Sequence, residues 1–147
     1  MKRFKILFMA LFCAVSVGFV GCSNDDEGKS VPGSDDIIGS WEYVDRYNDD
    51  EDSWVYTEVM TFGSDGVMTM TYEDIDYDAN GNVNFTDSDT ASWNYTYSNG
   101  VLTLTLINGS DDYYDTVTVK LAISGNTLYI TSNEYGENYT QAYTRVN

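Results

Sequence analysis

The sequence predicts an all-β domain over residues 37–147, folded as an eight-stranded antiparallel up-and-down β-barrel. Three observations carry the prediction. From Ile37 onward apolar and polar residues alternate with period 2, and Thr, Tyr, Val and Trp are abundant in the alternating runs. No segment shows sustained helical periodicity, and the sole proline, Pro32, precedes the domain. Seven short connections rich in Gly, Asn and Asp separate the runs, which is the chemistry of hairpins because Gly and Asn tolerate positive φ.

The strand runs follow in chain order. Trp54, Tyr56, Met60 and Phe62 share one parity, with Val55, Thr57, Val59 and Thr61 on the other. Trp93, Tyr95 and Tyr97 alternate with Asn94 and Thr96, and Leu102, Leu104 and Leu106 with Thr103 and Thr105. Val117, Val119, Leu121 and Ile123 alternate with Thr118 and Lys120. Between the runs lie Asn48–Asp52, Gly63–Gly66, Asp78–Gly81, Asn99-Gly100, Asn108–Asp111, Ser124–Asn126 and Asn133–Gly136. Seven hairpins join eight strands, and a meander of eight closes into a barrel that removes both sheet edges. A two-sheet sandwich is the competing solution, but it usually needs longer crossing connections.

Residues 1–21 read as an export leader. Met1–Lys5 is basic, Ile6–Val20 is apolar, and Gly21 is the small residue a peptidase needs. The apolar run falls short of the roughly 20 residues of a membrane-spanning helix. Phe19-Val20-Gly21-Cys22 resembles the lipobox of bacterial lipoproteins, with Phe19 where that family prefers Leu. The resemblance implies that Cys22 becomes the first mature residue and carries diacylglyceryl and palmitate-type acyl chains, two of which anchor stably. An ordinary secretory leader is the plainer alternative. With Cys13 in the leader and Cys22 lipidated, no cysteine remains for a disulfide.

Residues 22–36 are expected to be the lipidated cysteine and a flexible acidic tether, since only Val31 offers much to bury. Ser23–Glu27 resembles the acidic signal that sends some Gram-negative lipoproteins to the outer face of the cell. The expectation is therefore a lipid-anchored outer-membrane protein facing the cell exterior. Three of the seven basic residues lie in the leader, leaving four against 24 acidic residues, a net charge of −20. That balance disfavours nucleic acid, whose phosphates need clustered Lys and Arg, and direct contact with anionic headgroups. A solvated, self-repelling surface is the plain reading of the acids, and a monomer is expected.

Gly39-Ser40-Trp41 opens the first strand, and Arg145 lies near the end of the last. These residues resemble the Gly-x-Trp motif and C-terminal arginine of lipocalins, the calycin group. The resemblance implies a lipocalin-like barrel in which Gly39 admits the chain, Trp41 plugs the base and Arg145 packs across it. An arginine over an indole is worth about 0.5–2 kcal/mol. Asp35–Ile38 would form the short turn beneath the barrel. No Thr-Asp-Tyr motif, disulfide or helix after the last strand accompanies the match, so the chain is similar to compact lipocalin-like domains of bacterial lipoproteins.

Catalysis finds little support. The chain has no histidine, which removes Ser-His-Asp and Cys-His arrangements and His-rich zinc sites, and no mature cysteine is left as a nucleophile. The protein is expected not to be an enzyme; a hydrolase would need two carboxylates facing each other in a cleft. No cofactor is expected, with one candidate exception. Asp76, Asp78, Asn80, Asn82, Asn84 and Asp87, with Gly81 at the sixth position, reproduce the spacing of an EF-hand calcium loop. In the simpler reading Asn80-Gly81 is a hairpin turn with acidic shoulders.

Thirteen Tyr and three Trp remain to be placed. If the bulky parity faces inward, Trp54, Tyr56, Met60, Tyr72, Trp93 and Tyr95 are the candidate ligand-binding residues. Eight strands enclose room for side chains or for one small ligand. The expected function is non-catalytic capture of a small apolar or amphipathic molecule. The alternative is a surface glycan- or protein-binding accessory with a filled barrel.

Overall fold

The computed structural model describes residues 28–48, 53–109, 115–134 and 136–146. The expected leader, Cys22 and the first part of the expected tether lie outside the described residues. Eight strands run in order: β1 Gly39–Asn48, β2 Ser53–Phe62, β3 Val67–Tyr77, β4 Val83–Ser98, β5 Val101–Asn108, β6 Thr116–Ser124, β7 Thr127–Glu134 and β8 Glu137–Val146. Each pairs antiparallel with its sequence neighbour, and β1 pairs with β8 to close an up-and-down barrel. The connections fall where Gly and Asn marked them. At Asn99-Gly100 both residues take positive φ (51° and 78°), which gives a two-residue turn the right-handed twist of its strands.

The pairing registers fix which side chains face inward. Trp41 sits opposite Met60, Met60 opposite Met70, and Met70 opposite Ala91. All four are buried, together with Phe62, Met68, Trp93, Leu102, Leu104, Val117, Val119, Leu121, Leu128, Ile130 and Tyr143. The bulky parity therefore faces the core. Thr residues line up on the outside, where Ser40 meets Thr61 and Thr131 meets Thr140 across strand pairs at 2.8 Å.

Closure is confined to one end. Only Ser40, Trp41 and Glu42 of β1 pair with β8, opposite Val146, Arg145 and Thr144. Beyond them β1 continues to Asn48 against β2 alone, and Glu137–Tyr143 of β8 pairs with β7 alone. The 16-residue β4 behaves similarly. Its Ser92–Ser98 half pairs with β5, past an irregularity at Ser92/Trp93, while among the described residues Val83–Ala91 pairs with β3 only. The barrel thus has a closed base, holding the turns at 63–66, 99–100 and 125–126, and an opposite end, the mouth, where β1–β4 extend as a four-stranded sheet.

Residues 28–36, within the stretch read as a flexible tether, are fixed to the base. Ser30 exchanges backbone hydrogen bonds with Ile123 at 2.8 and 2.7 Å, Tyr97 Oη donates to the Pro32 carbonyl at 2.6 Å, and Lys29 Nζ lies 4.5 Å from the Tyr129 ring centroid. Gly100 gives Val31 its seat: a Cβ there would lie 3.1 Å from a Val31 methyl. Composition missed this strap because its attachment is mostly backbone hydrogen bonding, which a polar sequence supplies as well as an apolar one. A turn at Gly33–Asp36 then leads into β1, with Gly33 N donating to Asp36 Oδ2 at 2.8 Å.

Candidate functional site

At the base, the three motif residues meet. Arg145 Cζ lies 4.1 Å from the Trp41 ring centroid, and its guanidinium donates to the carbonyls of Ile38 and Asp36. Trp41 Nε1 donates to the Ile37 carbonyl at 2.8 Å, so the buried indole keeps its hydrogen bond. Gly39 has φ +118°, and a Cβ there would meet Arg145 Nη1 at 3.1 Å. Backbone conformation and close approach both call for glycine at this position. The fold thus brings Gly39, Trp41 and Arg145 into contact at the base.

The six aromatic and sulfur-bearing candidates divide between two places. Met60 and Trp93 are buried in the apolar core, and Tyr95 packs edge-on against Phe62 while donating to the Gly63 carbonyl at 2.7 Å. These three help fill the base. Trp54, Tyr56 and Tyr72 stand on the inward rows nearer the mouth, where they join tyrosines the sequence did not single out. Tyr143, Tyr43, Tyr56 and Tyr72 form a continuous array with centroid spacings of 5.7, 6.4 and 6.1 Å, and Trp54 stacks on Tyr47 at 6.1 Å.

At the floor of this array lies Glu58, which is completely buried. It takes the inward position between Tyr56 and Met60, opposite Tyr43 on one side and Tyr72 on the other. Tyr143 Oη donates to one carboxyl oxygen at 2.7 Å and Tyr56 Oη to the other at 2.8 Å. Burial pushes the Glu58 carboxyl above the usual carboxylate range, against the opposing pull of the two tyrosine hydrogen bonds. Tyr143 is likewise pushed well above the ordinary phenol value, chiefly by burial and then by Glu58.

Above Glu58 the inward rows of β3 and β4 turn acidic. Tyr56 faces Asp74, Trp54 faces Asp76, and Asp74 faces Asp87. Directly opposed carboxylates repel each other. Burial first, then Asp76 and Asp87, raises the Asp74 carboxyl. None of the four basic residues among the described ones balances this charge from the inward rows. Lys29 and Arg145 are at the base, while Arg46 and Lys120 occupy outward positions, opposite Val55 and Thr131. Gln141, on the inward row of β8 opposite Ile130, holds its amide nitrogen buried without a hydrogen-bond partner.

The calcium-loop residues form the β3–β4 hairpin. Asp78 Oδ1 accepts from the backbone amides of Asn80 and Asn82, both at 2.9 Å, and Asn82 Nδ2 also reaches this carboxylate. These bonds, led by the Asn82 amide, hold the Asp78 carboxyl below its usual value. Asp76 and Asp87 are on the barrel wall, and Asn84 is exposed on β4. Among the described residues no group of three or more His, Cys, Asp or Glu is placed to hold a metal ion.

No family model, curated protein or solved structure matches the chain. The site must be read from its own chemistry.

Proposed function

We propose that the protein is an outer-membrane lipoprotein, anchored through Cys22 and displayed outward, that captures a small amphipathic molecule at the barrel mouth without catalysis. The observation that carries this reading is the change along the inward rows of β1–β4. They run from Trp41, Met60, Met70 and Ala91 at the base to tyrosines and carboxylates at the mouth. Such a gradient suits a ligand with an apolar body and a polar end. The inward carboxylates favour a cationic or hydrogen-bond-donating end and disfavour an anion, and tyrosine faces attract cations as well. The unpaired amide of Gln141 would welcome an acceptor, since an unsatisfied buried donor costs about 1–3 kcal/mol.

Titration of the mature domain with decyltrimethylammonium, decyl maltoside and decyl sulfate, followed by amide chemical shifts, tests the reading. The cation is expected to bind best and the sulfate worst, with shifts at Tyr56, Glu58 and Tyr72. Absence of shifts in these rows with all three amphiphiles would end the proposal.

A second reading, a glycan- or protein-binding accessory, draws support from aromatics exposed at the mouth. Tyr47 is 47 % exposed, Phe85 53 % and Tyr139 52 %. In that case shifts cluster at these three residues, at the outer rim of the inward rows, while Tyr56, Glu58 and Tyr72 deeper in stay silent.

A further inference from the structure

We propose that the protein stands base-down on its membrane, clamped by the 28–36 strap, so that its mouth takes ligand from the aqueous phase and not from the bilayer holding the anchor. The inference rests on the reading of Cys22 as lipidated and adds an orientation to it.

The argument begins with the point of attachment. Ser30 bridges to Ile123 and Pro32 accepts from Tyr97, both beside the base turns at 99–100 and 125–126. The chain therefore leaves the barrel at its closed end. Six peptide units separate Cys22 from Gly28, and whatever path they take they reach at most about 22 Å.

The barrel's own height decides what that leash permits. β4, the longest strand of the mouth sheet, has 16 residues. At about 3.3 Å per step and a tilt near 40°, it rises roughly 38 Å along the barrel axis. Pressing the mouth to the bilayer would lift the base by that height, which even a fully stretched leash does not reach. Without the strap, the leash would gain the residues from 28 to 38 and inversion would become easy.

Charge acts in the same direction. The inward mouth carries Asp74, Asp76 and Asp87. Lys29 and Arg145 are at the base. At the base Asp35, Asp36 and Asp65 offset these two cations, whereas among the described residues no cation stands on the inward rows of the mouth. An anionic leaflet therefore repels the mouth more strongly than the base.

The experiment uses the full, lipidated chain in vesicles containing headgroup energy acceptors and one tenth anionic lipid. The mature sequence has no cysteine besides Cys22, so single labels can be placed at exposed Asn126→Cys on the base and Asn80→Cys at the mouth. Strong transfer from the base label and weak transfer from the mouth label is expected. Equal or reversed transfer would overturn the orientation. A flexible insertion of about twenty Gly and Ser residues after Glu27 should shrink the difference to what charge alone sustains; if the difference is undiminished, the short leash is not its cause and the proposal fails. Palmitate labelling of the wild type against Cys22→Ser is read separately. No acyl transfer to Cys22 would sink the anchor itself, and the orientation with it.

Discussion

The base and the mouth are built on the same eight strands, yet they solve different problems. At the base, Trp41, Met60, Phe62, Met68 and Trp93 exclude water, and Arg145 caps them with its charge turned toward backbone carbonyls. Trp41, Tyr95 and Arg145 each direct their polar atoms to backbone carbonyls there. At the mouth the same rows carry Glu58 beneath two tyrosines and Asp74 facing Asp87, an arrangement that weakens the fold where the base strengthens it. Stability is concentrated at one end, and the other is left free to carry costly chemistry. Such a division is usual where a scaffold supports a site.

The sharpest way to break the contrast is to truncate one tryptophan from each end. Trp41→Ala removes a wholly buried indole together with the surface Arg145 rests on, and should cost about 3–5 kcal/mol in denaturant unfolding. Trp54→Ala, at a half-buried position, should cost well under half as much. Equal losses would mean that the mouth belongs to the core.

Glu58 gives the next largest effect. Glu58→Ala strands the Tyr56 and Tyr143 hydroxyls and should cost about 1–3 kcal/mol. Glu58→Gln keeps a partner for each hydroxyl and should do the opposite at neutral pH. The sign follows from the raised carboxyl: the folded state holds the proton more tightly than the unfolded state. Its stability contribution is full below the ordinary carboxylate range and is lost as pH rises through the folded value. The variant should therefore melt with the wild type near pH 4, melt above it at pH 8, and show a flatter pH profile between. Around Glu58 stand Tyr43, Tyr56, Tyr72 and Tyr143, with Asp74 above, so an Asp74→Asn background is needed to separate the two carboxyls. Asp74→Asn alone should raise the melting temperature at neutral pH by a smaller margin, because its carboxyl, though also raised, is only half-buried where Glu58 is wholly buried.

Calcium supplies the smallest expected effect. With Asp78 committed to the turn amides, millimolar Ca²⁺ should leave the melting temperature of the barrel domain unchanged. A clear rise that Asp76→Asn abolishes would show that the hairpin can open into a metal site.

Much of the base was legible in the sequence, because its signals are local or periodic. Gly39-Ser40-Trp41 is contiguous, and the apolar members of each strand repeat every second residue. The mouth was harder to read. Trp54, Tyr56, Met60 and Phe62 announce an inward row, but Glu58 occupies that same parity, and a lone carboxylate in a strand ordinarily reads as solvated. Its meaning depends on Tyr143, 85 residues away, which no local pattern connects to it. The acids of β3 were within reach, since Tyr72, Asp74 and Asp76 share a parity. That Asp74 faces Asp87 becomes visible only once the register of the hairpin is known. The strap escaped notice for a different reason, its hold on the barrel being largely through main-chain groups.

The three-residue seam between β1 and β8 also sets the order of events in folding. Each of the seven hairpins joins neighbours in sequence and can form soon after its strands exist, whereas the seam joins Trp41 to Arg145. Pairings between such distant residues carry the loop-closure penalty of the whole intervening chain, and chains dominated by them fold slowly. Arg145 is thus a clasp as well as a cap: the barrel ring is complete only once it crosses Trp41, and that step should set the overall rate.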